Sequence, residues 1–152
     1  MSEVRFYHLQ TRTQNDVLPS LLSKAHERGK RTLVKMASEK EVAVLDKLLW
    51  TYNPNSFLPH GSAKSIKGDD VISMQSIWLT DKDENPNSAD VLIVGHGASS
   101  EMHGDFSLCC EMLDGHDEQA VAGARERWKA YKEQGFDVTY WQQDESGVWA
   151  KK

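Results

Sequence analysis

Arg125, Lys129 and Lys132, with Trp128 beside them, are the residues of this 152-residue chain whose types and spacing suit a chemical task. On a helical wheel turning about 100° per residue, the three cations share one stripe and Trp128 stands at its border. Ala120, Ala124 and Tyr131 fall on the neighbouring apolar face. Arg125 has Val121 and Ala122 one turn before it and Trp128 and Lys129 one turn after, so its own helix gives it no acidic neighbour. Like charges at this spacing repel by roughly 0.2–0.5 kcal/mol per pair, and a bound anion relieves that repulsion. Arginine forks onto a carboxylate through two hydrogen bonds, and tryptophan supplies an apolar wall. The chemistry implied is capture of an anionic peptide with an apolar end. A solvated basic face beside a core tryptophan has the same pattern and stays open as the alternative.

A second cluster, Trp50, Tyr52, Phe57 and Leu58, surrounds Pro54 and Pro59. Large apolar side chains on irregular backbone are hard to bury within one small domain, and an exposed patch of them marks a partner surface. A loop that caps the core with its aromatics fits equally. Signals for catalysis are weaker. Gly95-His-Gly97 follows a strand pattern, but Ser100 stands where a dinucleotide fingerprint needs its third glycine. Gly29-Lys30 closes a helix pattern instead of opening one, unlike a phosphate-binding loop. His96 and His103 lack partners at metal-ligand spacing, and His8 and His26 read as surface or strand-edge residues. No catalytic residue, metal site or cofactor is expected. The competing reading is a small nucleotide-binding α/β protein or enzyme that uses the strand ends near Gly95.

The elements that must hold these residues follow from periodicity. Arg5–Leu9 suits a first strand. Asn15 or Asp16 can cap a helix carrying Leu18, Leu21, Leu22 and Ala25, with Pro19 in its first turn and Gly29 at its end. Arg31–Met36 is a second strand. Ser38, with Glu41 three residues on, opens a helix faced by Val42, Leu45, Leu48 and Leu49. Residues 61–76 read as loop, Ile77–Thr80 as a strand, and 81–88 as an acidic loop. Val91–Val94 is a continuous apolar run typical of a buried central strand. Phe106–Leu113 is a further strand, Asp117–Gln134 the last long helix and Asp137–Gln142 the last strand. Alternating strands and helices predict one α/β domain over residues 1–152, three-layered, with a mostly parallel or mixed sheet.

Bulk composition narrows the function. Net charge is −5, with no basic footprint of the kind DNA binding demands, so little or no direct DNA contact is expected. No apolar run reaches the ~20 residues of a membrane span, and no signal-peptide pattern opens the chain, which predicts a cytoplasmic protein. Cys109 and Cys110 are adjacent and point to opposite faces of a strand, so a disulfide between them is not expected.

Several of these segments carry a resemblance. Phe6-Tyr-His-Leu9, Gly29-Lys-Arg-Thr-Leu-Val34, Leu45-Asp-Lys-Leu-Leu-Trp50, Ser56-Phe-Leu-Pro-His60, Ala89-Asp-Val-Leu-Ile93 and Ala124-Arg-Glu-Arg-Trp-Lys-Ala-Tyr-Lys132 together resemble the chi subunit of bacterial DNA polymerase III holoenzyme. The resemblance implies a Rossmann-like fold without a nucleotide site, and an adaptor without chemistry of its own. It implies that the acidic, phenylalanine-ended C-terminal tail of single-stranded-DNA-binding protein docks at Arg125, Trp128 and Lys129. Val121 and Lys132 complete that stripe. It implies that the psi subunit of the clamp loader docks at Trp50 and Phe57, within the cluster that also holds Tyr52 and Leu58, a surface that a helicase also uses in the family. One departure is that the family more often carries tyrosine where Trp128 stands, which keeps an apolar wall and loses a hydroxyl.

Overall fold

The computed structural model describes residues 3–51, 58–64 and 66–152. Its frame is an eight-stranded sheet built from β1 (Glu3–Leu9), β2 (Thr32–Lys35), β3 (Gly61–Ser62), β4 (Ile77–Thr80), β5 (Val91–Val94), β6 (Leu108–Asp114), β7 (Asp137–Gln143) and β8 (Trp149–Lys151). The spatial order is β3-β4-β2-β5-β6-β1-β7-β8. Every pairing is parallel except that of β8 with β7. Parallel neighbours need crossovers, and helices supply most of them, α1 (Gln14–Glu27), α2 (Glu39–Thr51), α3 (Asp69–Ser73) and α4 (Glu118–Glu133), while the chain runs from β4 to β5 and from β5 to β6 without an α-helix. The result is the expected three-layer α/β architecture.

Two cores form, one on each face of the sheet. Leu18 and Leu22 of α1 and Val42, Leu45 and Leu49 of α2 pack on Tyr7, Leu9, Val34, Ile93 and Met112. Ala124 and Tyr131 of α4 pack on the other face, against Val4, Phe6, Leu92 and Leu113. Strand alternation divides the cysteines between them: Cys109 lies in the second core and Cys110 in the first, both buried and free. Burial pushes the Cys110 thiol up to about 12. Among the described residues, no helix is long and apolar enough to cross a membrane.

Local chemistry sets the boundaries, and it corrects some of the expected ones. Helix α1 is capped by Thr13, not by Asn15 or Asp16. The Thr13 hydroxyl accepts from the Asp16 amide at 3.3 Å, and the Asp16 carboxylate accepts from the Thr13 amide at 3.0 Å. This reciprocal box starts the helix early enough to place Pro19 inside it and not in its first turn. At α2, Ser38 accepts from the Glu41 amide at 3.3 Å, while the Glu41 carboxylate reaches back to the Ala37 amide. Residues 61–76, expected as loop, contain β3 and the five-residue α3. Both are too short to leave a period in the sequence, and α3 begins at Gly68 with no side-chain cap. Strand β8 was not anticipated either. The Asp144 carboxylate accepts from the Ser146 and Val148 amides and folds the turn that brings β8 back onto β7.

Candidate functional site

Asp117 positions the candidate stripe. Its side chain accepts from the Gln119 and Ala120 amides and starts α4 there. At the other end, Gly135 takes a φ of 91° and turns the chain into β7. The apolar face read from the wheel is the buried one, with Ala124 and Tyr131 against the sheet. The neighbouring stripe therefore lies along the seam between α4 and β7, where a groove of about 350 Å³ opens. Arg125, Trp128 and Lys132 line its helix side, and Val138, Tyr140 and Gln142 its strand side. His8 forms the floor, and Lys151 and Lys152 stand at the far wall. Lys129 is exposed on the same helix but does not line this groove, and Val121 is half-buried against the core.

The cations of α4 divide by what they touch. Arg127 donates to the buried Glu111 carboxylate at 2.8 Å, so it serves the fold. Arg125 and Lys129 make no side-chain hydrogen bond or ion pair with another described residue. Lys132 places its ammonium 4.1 Å from the centre of the Trp128 ring, a cation–π contact that orients the indole edge of the groove. The groove thus sets an uncommitted, exposed guanidinium beside an indole that also packs against the core.

Sequence reasoning missed the floor. His8 was expected at a surface or strand edge, yet it is 8% exposed on β1, which lies between β6 and β7. Its Nδ1 is 2.6 Å from the Tyr140 hydroxyl. Burial chiefly, and then the charges of Arg125 and His116, lower the His8 pKa, while Asp114 opposes them. Burial raises the Tyr140 pKa, and Arg125 opposes it. Both groups therefore stay neutral at pH 7. The ring of His8 also presses on Gly115, where any Cβ would collide with it. The apolar-polar alternation of β1 carried a signal for His8, since position 8 shares a face with Phe6, but β7's partner strand could not be known.

The second cluster is seen only in part. Trp50 ends α2 at 52% exposure with its ring 4.6 Å from that of His60. Leu58 is 3% exposed and belongs to the core, so it packs instead of offering a surface. Tyr52 and Phe57 lie outside the described residues.

The strand end at Gly95 is already filled. A Cβ at Gly95 would lie 3.0 Å from Met36 Sδ and 3.2 Å from Gln14 Oε1, and that same oxygen accepts from the His96 amide at 2.9 Å. A phosphate needs free backbone donors and a helix N-terminus; here a side-chain oxygen takes the donor, and turns with one short 3₁₀ segment follow. Among the described residues no group of three or more His, Cys, Asp or Glu side chains is placed to hold a metal.

Comparison with known proteins agrees in one direction. The family model described as DNA polymerase III chi subunit, HolC, matches residues 1–139, ending inside β7. A protein of Rickettsia prowazekii named probable DNA polymerase III subunit chi is 30% identical over 94 residues, which span 62% of this chain and 54% of that one. DNA polymerase III subunit chi of Haemophilus influenzae is 25% identical over 130 residues, 85% of this chain and 87% of its own. That of Escherichia coli K12 is 25% identical over 146 residues, 91% of this chain and 96% of its own.

Proposed function

The chain belongs to the DNA polymerase III chi-subunit family, and from that premise we propose that it is a non-catalytic adaptor whose α4–β7 groove binds the acidic, phenylalanine-ended tail of single-stranded-DNA-binding protein. The observation that carries this reading is the uncommitted Arg125 beside the Trp128 wall, in a helix whose other internal arginine is consumed by Glu111. Arg125 takes the terminal carboxylate and Trp128 the phenylalanine ring; Lys132 and Lys129 supply longer-range attraction to the acidic residues upstream. A contact built from one charge-assisted fork and one aromatic wall has an affinity on the order of 1 μM, about −8 kcal/mol, and weakens with salt. Tethering several such weak contacts within one replication assembly raises their effective concentration, which is the mechanism of an adaptor.

The opposite end of the sheet, where Trp50 is exposed, is the proposed contact for the clamp loader through the psi subunit, and for a helicase that competes for it. Cytoplasmic residence goes with both partners. The experiment is a fluorescence-anisotropy titration of a labelled acidic, phenylalanine-ended peptide, with wild type and Arg125→Ala side by side. Micromolar, salt-sensitive binding that Arg125→Ala weakens supports the reading. A folded wild type that ignores the peptide refutes it.

A further inference from the structure

The floor of the groove offers a donor that the helix stripe does not. Tyr140 faces Phe6 across the β1–β7 ladder, at a ring separation of 6.0 Å, which fixes its ring on the α4 side of the sheet. Its hydroxyl is then held 2.6 Å from His8 Nδ1. A neutral histidine and a neutral tyrosine can share this bond in two ways. In one, the phenol donates to Nδ1. In the other, Nδ1–H donates to the phenol oxygen and leaves the phenol proton free to turn into the groove. The second arrangement becomes favourable when an acceptor arrives, because the hydroxyl then both accepts and donates. Arg125 lines the same groove and acts electrostatically on both residues, so the acceptor it attracts arrives beside them.

The geometry points to Tyr140, backed by His8, as a second hydrogen-bond donor to the terminal carboxylate of the bound peptide, beside Arg125. This assignment rests on the proposed peptide reading of the groove. It accounts for the part-buried hydrogen bond between His8 and Tyr140 in the groove, which no strand pairing requires. The tyrosine is the binding residue, and His8 is a positioning residue that acts through it.

The test compares two probes, the acidic phenylalanine-ended peptide with a free carboxylate and the same peptide as its C-terminal amide, on wild type and Tyr140→Phe. The phenylalanine keeps the ring against Phe6 and removes only the hydroxyl. The expected result is about a tenfold loss for the free acid and none for the amide, so the preference for the carboxylate shrinks. An unchanged free-acid affinity, or an equal loss for both peptides, overturns the assignment while leaving the groove reading intact. Wild-type protein that binds neither peptide overturns the groove reading, and this assignment with it. If Tyr140→Phe does not fold, the Tyr140 ¹³Cζ resonance of wild-type protein answers the same question. A shift on adding the free acid and not the amide supports the donor, and no shift refutes it.

Discussion

The two ends of the sheet spend their polar groups differently. At the β3–β4 end several of them are tied up internally, although among the described residues Asp46 Oδ1, Thr32 Oγ1 and Asn87 Oδ1 stay buried without a hydrogen-bond partner. His60 is buried, with Nδ1 2.7 Å from the Leu58 carbonyl and Nε2 3.2 Å from the Asp46 carbonyl, and the Asp46 carboxylate stands 3.0 Å away, out of line with the ring N–H. Glu84 accepts from both Trp78 Nε1 and the Thr80 hydroxyl. Lys35 is held by Asp83 at 2.8 Å. At the β7–β8 end, Arg125 and Lys129 make no side-chain hydrogen bond or ion pair with another described residue, and Arg125 lines a groove. A cavity of about 480 Å³ opens at the β3–β4 end as well, beside Trp78 and Thr80. A surface whose charges are already used recruits partners by shape and apolar contact, through residues such as Trp50. One whose charges are uncommitted recruits them by charge. If both proposed contacts exist, they lie at opposite ends of the sheet.

The contrast is sharpest between neighbours on α4, and mutation can break it. Arg127→Ala strands the buried Glu111 carboxylate, and we expect about 3 kcal/mol of lost stability in urea denaturation. That is the low end for a broken buried pair, because Arg127 is partly exposed. Peptide affinity should stay within about twofold of wild type, since the two sites share no partner. Arg125→Ala reverses the pattern: about 1.5–3 kcal/mol of peptide binding is lost, and the urea midpoint stays put. If Arg125→Ala unfolds the protein, or Arg127→Ala abolishes binding, the division of labour is wrong. At the other end, His60→Ala should cost about 1.5 kcal/mol of stability by leaving the carbonyl that accepts the imidazole N–H without its donor. It should leave the groove's affinity as it was, and a weakened peptide would mean the ends are coupled.

The smallest effect concerns pH. In the free protein the His8 pKa sits below the ordinary histidine value, because of burial and then Arg125 and His116, with Asp114 opposing. A carboxylate docked at Arg125 offsets that cation, so the His8 pKa rises in the complex. The complex then holds more protons than the free protein, and affinity increases as pH falls through the window between the two values. Titrations from about pH 7 to about pH 5.5 should show a gain of up to about threefold, before the peptide carboxylates themselves protonate. Stability runs the other way. The unfolded chain takes up the proton at its ordinary histidine pKa before the folded chain does, so the His8 contribution is present above that pH and is lost as pH falls below it. A flat affinity profile would show that His8 does not sense the ligand.

Much of this was legible in the sequence. The wheel placed Tyr131 and Ala124 inward and the cations beside them because a helix of 16 residues repeats its pattern often enough to fix its rotation. The opposite facing of Cys109 and Cys110 followed from a strand's two-residue period, whereas the burial of both did not. What was hidden depends on partners distant along the chain. His8 looked like an edge residue because nothing in its neighbourhood announces that β6 and β7 flank β1. Tyr140 joined the groove only through that pairing. Leu58 could be read as surface because prolines surround it, yet it is buried in the core shared with α2 and β4 residues. Strand β8 rests on a turn whose signal was one aspartate and one glycine.

The position of β1 has a further consequence. Glu3 is in register with Leu108 on one side and Asp137 on the other, so the first strand is sealed only by strands that leave the ribosome far later. Until then both of its edges are bare, and the emerging polypeptide must be kept from pairing with its neighbours. A chain interrupted before β7 cannot build the groove at all. Under the proposed reading, premature fragments would therefore not bind the tail, and occupancy of the groove would show that synthesis ran past β7.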